Sequence, residues 1–124
     1  MPKKAKRILI VDDEAALKKV LKLKLAKAGL AVEVMADNEN LVSFLTKEKF
    51  DLVILDLMMP GKNGFTILAE LKAKKNKTPV VVSSLLRQPE DIAKVKKLGA
   101  IDYLIKSQMS VAELAERILK ILKV

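Results

Sequence analysis

The sequence predicts an α/β fold in which one parallel five-stranded sheet lies between two layers of helices, and three observations carry that prediction. Short apolar, β-branched runs recur along the chain, and longer segments of helical period separate them. Three of the runs are apolar on consecutive residues, which suits parallel strands covered on both faces. Alternation of this kind implies an open sheet with right-handed crossovers.

The first strand is ILIV (8–11), preceded by a basic tail over 1–6. Four apolar residues are too few for a signal peptide, and no small-residue cleavage site follows. The first helix sets Leu17, Val20, Leu21, Leu25 and Ala28 on one face, with Lys18, Lys19, Lys22 and Lys27 mostly opposite and Gly29 as a stop. Lys24 near that face and Leu23 away from it blur the pattern. AVEVM (31–35) carries Glu33 in its middle and reads as an edge strand. Asn38 or Asn40 is placed to cap a second helix bearing Leu41, Phe44 and Leu45. LVIL (52–55) is the third strand, and Phe65, Leu68 and either Leu71 or Ala69 stripe the third helix.

VVV (80–82) runs into Ser83-Ser84. Pro89 then opens a fourth helix with Ile92, Val95 and Leu98 apolar and Gly99 at its end. YLI (103–105) is the fifth strand. The last helix opens on Ser110-Val-Ala-Glu113, the capping-box spacing, and repeats Leu114, Ile118 and Ile121 on one face. For five such units the expected architecture is a flavodoxin-like (βα)5 three-layer sandwich of strand order 2-1-3-4-5, with ligands at the carboxyl ends of strands one and three. Residues 1–124 read as a single domain.

Composition removes many chemistries. There is no cysteine, hence no disulfide framework or thiolate site, which favours a cytoplasmic protein. There is no histidine, which excludes an imidazole base, His-ligated zinc and a Ser-His-Asp triad. No apolar run approaches the roughly 18 residues of a membrane span. The net charge of +9 comes mainly from lysine, with Arg7, Arg87 and Arg117 the only arginines. Those lysines are spread over several helices, and Phe44, Phe50, Phe65 and Tyr103 are the only aromatic side chains. Lysine is poorly suited to bidentate base readout and few rings are present for stacking, so no specific nucleic-acid partner is expected.

The strand ends carry the chemistry. Strand one ends in Asp12-Asp13-Glu14 and strand three in Asp56, and the expected order makes those strands neighbours. Carboxylates so close repel one another unless a cation sits among them. Oxygen-only ligands favour a hard ion, with Mg²⁺ the natural candidate. Either Ser83 or Ser84 adds a hydroxyl at the same edge, and Lys106 adds an ammonium. Such a set suits a phosphoryl group. The competing structural reading has Asp12, Asp13 and Asp56 as caps of the helices and loops that follow.

Asp12-Asp13, the run Asp56-x-x-Met-Pro-x-x-x-Gly64, Ser84, Tyr103 and Lys106 occur together and in this order. In this respect the chain resembles the receiver domain of two-component response regulators, of the single-domain chemotaxis-regulator type, over nearly its whole length. The resemblance implies Asp56 as phosphoacceptor from a histidine kinase or phosphotransfer protein. Asp13, Asp56 and the Met58 backbone carbonyl would be Mg²⁺ ligands, with Asp12 acting through water. Lys106 and Ser84 would bind phosphoryl oxygens, and Ser84 and Tyr103 would switch a face read by a downstream protein target. Pro60 and Gly61 would fix the loop that aims the Met58 carbonyl. It also implies a monomer or weak homodimer through the fourth and fifth helices, and self-phosphorylation and autodephosphorylation rather than enzymatic turnover on external substrates.

Ser107 stands where the family usually has proline, Leu85 where a small residue is common, and Met58 offers no polar side chain. A degenerate receiver acting as a phosphorylation-independent interaction module is therefore the alternative. A haloacid-dehalogenase-type phosphatase would need a second Asp where Met58 stands, and flavodoxin-type cofactor binding would need a Ser/Thr/Gly-rich loop after strand one. The Ala/Leu/Val/Lys vocabulary suits a thermophilic source and equally a consensus, ancestral or designed sequence, and the length suits a stand-alone regulator or a piece of a longer chain. Any affinity for short duplex DNA should fall steeply between about 50 and 200 mM salt, as charge attraction alone does. Fluorescence anisotropy checks this, and tight binding at high salt would contradict it.

Overall fold

A computed structural model of the chain describes residues 5–59 and 61–124. Most of the expected basic tail, and the loop role expected of Pro60, lie outside the described residues. The elements run β1 (Arg7–Val11), α1 (Ala15–Lys27), β2 (Ala31–Met35), α2 (Leu41–Lys47), β3 (Leu52–Leu55) and α3 (Gly64–Ala73). They continue with β4 (Val80–Ser84), α4 (Pro89–Lys97), β5 (Asp102–Ile105), a 3₁₀ turn (Lys106–Gln108) and α5 (Val111–Leu122). All strands pair in parallel, in the order β2-β1-β3-β4-β5. The flavodoxin-like prediction therefore holds.

Alternation along each buried strand divides the core in two. Leu9, Val11, Val53, Leu55, Val80 and Val82 face Leu41 and Leu45 of α2, Ile67, Leu68 and Leu71 of α3, and Val95 of α4. Ile8, Ile10, Leu52, Ile54, Val81 and Leu104 face Leu21 and Leu25 of α1 and Leu114, Ile118 and Leu122 of α5. Fully burying one such side chain contributes about 1.5–3 kcal/mol. A strand covered on both sides has no polar face, which is why LVIL shows no alternation. Among the described residues no helix is long and apolar enough to cross a membrane.

Local signals acted largely as expected. Pro89 occupies the first turn of α4. Ser110 Oγ accepts from the Glu113 amide at 3.1 Å while Glu113 accepts from the Ser110 amide at 3.0 Å, completing the capping box. Strand β2 is an edge, and Arg7 Nη2 reaches across to Glu33 Oε2 at 2.7 Å.

Other expectations need correction. Val20 and Ala28 of the first helical face are exposed, because α1 meets only the sheet margin and α5 and buries a narrow stripe centred on Leu21 and Leu25. Of the two residues offered for the α3 stripe, Leu71 points inward and Ala69 outward, while Ile121 packs against the core as expected with Leu122 buried beside it. Strand β4 extends through Ser84. Asn40 stands at the start of α2 without capping it through its side chain, and Asn38 is committed elsewhere. Asn63 supplies a cap that was not foreseen, accepting from the Phe65 amide at 2.8 Å.

Gly64 opens α3 against β3's exit. A Cβ there would lie 2.7 Å from both Leu57 Cα and Leu57 Cδ2, too close for backbone to tolerate. Gly64→Ala should therefore destabilise the domain by about 1–3 kcal/mol, the usual range for overpacking, read from the urea midpoint.

Candidate functional site

Strand register brings the charged residues together. The β1–β3 ladder ends with Val11 opposite Leu55, so Asp12 and Asp56 leave the sheet at one level. The Asp56 amide donates to the Val11 carbonyl at 3.0 Å, and the Asp12 amide to the Met35 carbonyl at 3.1 Å. On the other side, Ser84 lies opposite Ile105, and the chain turns into the 3₁₀ segment at Lys106.

Asp12 and Asp56 are only 3% and 4% exposed. Carboxylates so far from water need compensating partners. Lys106 Nζ lies 2.6 Å from Asp12 Oδ2, 3.1 Å from Asp56 Oδ2 and 3.8 Å from Glu14 Oε2. The other oxygens are met by backbone: Asp12 Oδ1 accepts from the Glu14 amide at 2.9 Å and Asp56 Oδ1 from the Met58 amide at 3.0 Å. Asp13 is exposed at the rim, and oxygens of Asp12, Asp13 and Asp56 all lie within 4.8 Å of one another. Three carboxylates against one ammonium leave the pocket negative.

Burial pushes the Asp56 carboxyl above its ordinary value, opposed by the Met58 amide and the Lys106 charge and reinforced by the charge of Asp12. Burial works to lower the Lys106 pKa, but Asp12 and Asp56 outweigh it and hold the ammonium above the usual lysine value. The lysine therefore stays charged among its acids.

A second group stands beside this one. Ser84 is fully buried and its Oγ accepts from the Leu86 amide at 3.2 Å. Tyr103 is turned inward, and its hydroxyl donates to the Leu86 carbonyl at 2.6 Å. Burial raises the Tyr103 pKa, the Ser84 hydroxyl opposes that rise, and the charges of Asp91 and Asp56 add to it. Strand alternation puts Ser84 on the sheet face of Val82 and Tyr103, with Ser83 on the opposite face.

The structure thus joins Asp12, Asp13, Asp56 and Lys106 in one pocket, with Ser84 and Tyr103 linked through Leu86 alongside. Leu85 is 65% exposed and borders a groove shared with Glu14, Leu17, Lys106 and Met109. The Lys106–Ser107 peptide is trans. The contact of Glu14 with Lys106 and the part played by Leu86 were not read from the sequence. Leu86 acts through its backbone, which no side-chain pattern reveals.

A family model described as response regulator receiver domain matches residues 8–119. The chain is 36% identical over 117 residues to a probable transcriptional regulator ycf27 of Porphyridium aerugineum, covering 94% of this chain and 48% of that relative. It spans about half the length of the curated relatives it matches. The receiver domain of the Francisella response regulator 1452 superposes with a TM-score of 0.85 at 28% identity, covering 95% of this chain and 97% of the other. The BeF3-activated receiver domain of DrrB from Thermotoga maritima gives 0.81 at 27%, covering 98% and 100%.

Because folding raises the Asp56 pKa, the native state binds its proton more tightly than the unfolded chain. Stability attributable to this group therefore falls as pH rises from the ordinary aspartate value of about 3.9 through the raised native value. Asp56→Asn should therefore raise the thermal midpoint at pH 7. That advantage should fade as pH falls towards 3.9, and thermal scans across pH check both parts.

Proposed function

The chain belongs to the response regulator receiver domain family of two-component signalling, and we propose that Asp56 is its phosphoacceptor in a Mg²⁺-dependent transfer from a histidine kinase or phosphotransfer protein. The observation that carries this reading is the position of Asp56: a buried carboxylate at the sheet edge, within salt-bridge reach of Lys106 and flanked by two further aspartates. In the transfer, a carboxylate oxygen of Asp56 forms a bond to phosphorus as the bond from phosphorus to the donor imidazole nitrogen breaks. The leaving imidazole takes up a proton. Lys106 then turns from Asp56 towards a phosphoryl oxygen, and Ser84 donates to another.

The acidic pocket fits Mg²⁺. Its donors are hard carboxylate oxygens of Asp12, Asp13 and Asp56 lying within 4.8 Å of one another, the ligand chemistry that Mg²⁺ takes. Asp13, Asp56 and the Met58 carbonyl would hold the ion, with Asp12 through water, and it would neutralise charge on the phosphoryl oxygens. The face shared by Ser84 and Tyr103 favours Ser84 over Ser83 as the hydroxyl that couples to the ring. Its movement towards the phosphoryl group would release Tyr103 from Leu86 and alter the surface around α4 and α5 for a downstream protein. Family membership makes the domain a signalling module; we read its chemistry as limited to self-phosphorylation and autodephosphorylation, and a cytoplasmic location accords with this role. The curated relatives are named as transcriptional regulators. We read DNA contact, where a whole protein makes it, as lying outside this domain, with self-association limited to a weak dimer through α4 and α5.

Incubation with acetyl phosphate and Mg²⁺ should give a phosphoryl adduct by intact mass, absent in Asp56→Asn and lost on adding a chelator. Lys106→Met should slow formation about a hundredfold, as removal of one stabilising donor does elsewhere. No adduct, together with no Mg²⁺-dependent beryllofluoride binding by NMR, would favour the phosphorylation-independent interaction module.

A further inference from the structure

We propose that Asn38 is a positioning residue for this site, its carboxamide clamping the Lys62 backbone so that the loop carrying Met58 stays in place. The proposal rests on the reading of Asp56 and Met58 given above. Asn38 lies between β2 and α2 and is fully buried. A buried amide is costly unless both its ends are bonded. Here both ends meet one residue 24 positions away: the Lys62 amide donates to Asn38 Oδ1 at 2.7 Å, and Asn38 Nδ2 donates to the Lys62 carbonyl at 2.6 Å.

The neighbouring residue is shaped to this contact. Gly61 has φ of +107°, and a Cβ there would fall 2.4 Å from Asn38 Oδ1. The loop is thus tied at two ends. Asp56 accepts from the Met58 amide at the near end, while Asn38 holds Lys62 at the far end, one residue before the Asn63 cap of α3. Between these ties the Met58 side chain is 59% exposed, so packing of that side chain does not fix its peptide. Met59, which shares the peptide of the Met58 carbonyl, packs partly buried against the core, and the two ties act with that packing to set the direction of the carbonyl.

Asn38→Asp keeps the size and the acceptor but loses the donor, and sets an oxygen against the Lys62 carbonyl. Asn38→Ala removes both bonds, and Gly61→Ala pushes the amide aside. Each should weaken Mg²⁺ binding about tenfold or more, the usual effect of losing a group that orients a ligand. The Mg²⁺-induced NMR shift of the Met58 amide should shrink in parallel. Ile118→Val, on the opposite sheet face, should lower the thermal midpoint while leaving Mg²⁺ affinity unchanged. If the Asn38 variants, measured at a temperature where they are folded, keep wild-type Mg²⁺ affinity and the wild-type Met58 shift, the clamp is only structural and the proposal is overturned. If wild-type protein itself shows no Mg²⁺ response, the underlying reading of the site fails as well, and the two failures are distinguishable.

Discussion

One ammonium organises the carboxyl edge of the sheet. Lys106, arriving from β5, reaches across to carboxylates that leave β1 and β3, and the three groups are all nearly removed from water. A buried ion pair repays its desolvation only when the remaining donors and acceptors are satisfied. Backbone amides of Glu14 and Met58 do this for the carboxylates. Among the described residues no buried side-chain polar atom lacks a partner. The acidic pocket can persist in a stable domain because its repulsion is balanced from the opposite side of the sheet.

This balance depends on topology. Without β1 and β3 as neighbours, Asp12 and Asp56 would not share a level, and without β4 beside β5 Ser84 would not lie opposite the residue preceding Lys106. The apolar layers beneath are uniform in chemistry, whereas nearly every polar group at this edge has a defined role. Rigidity comes from the core and chemistry from the connections that leave it.

The strand ends were readable because runs such as ILIV and LVIL stop abruptly at aspartate, and a parallel sheet of five strands has one favoured order. The convergence of Asp12, Asp13, Asp56 and Lys106 followed from those two facts. Val20 was misread because helical period gives a face but not its width, and width depends on how much of α1 the sheet and α5 cover. Asn38 was misread because asparagine before a helix ordinarily caps it, while its true partner lies 24 residues away in sequence. Ser84 was expected to follow the strand, yet parallel pairing with β5 holds it within the ladder. Local sequence reports propensity and period, but not hydrogen bonds that cross between loops.

The ion pair from Arg7 to Glu33 bears on how copies of the domain meet at high concentration. An open sheet leaves backbone donors and acceptors on its outer strand, a ready template for another chain. Here that strand is short, carries a carboxylate at its centre, and is crossed by a guanidinium that also reaches Glu48 at 3.3 Å. Extending the sheet would mean stripping water from these charges or breaking their pairing. The β2 margin of the sheet is therefore defended against edge-to-edge aggregation.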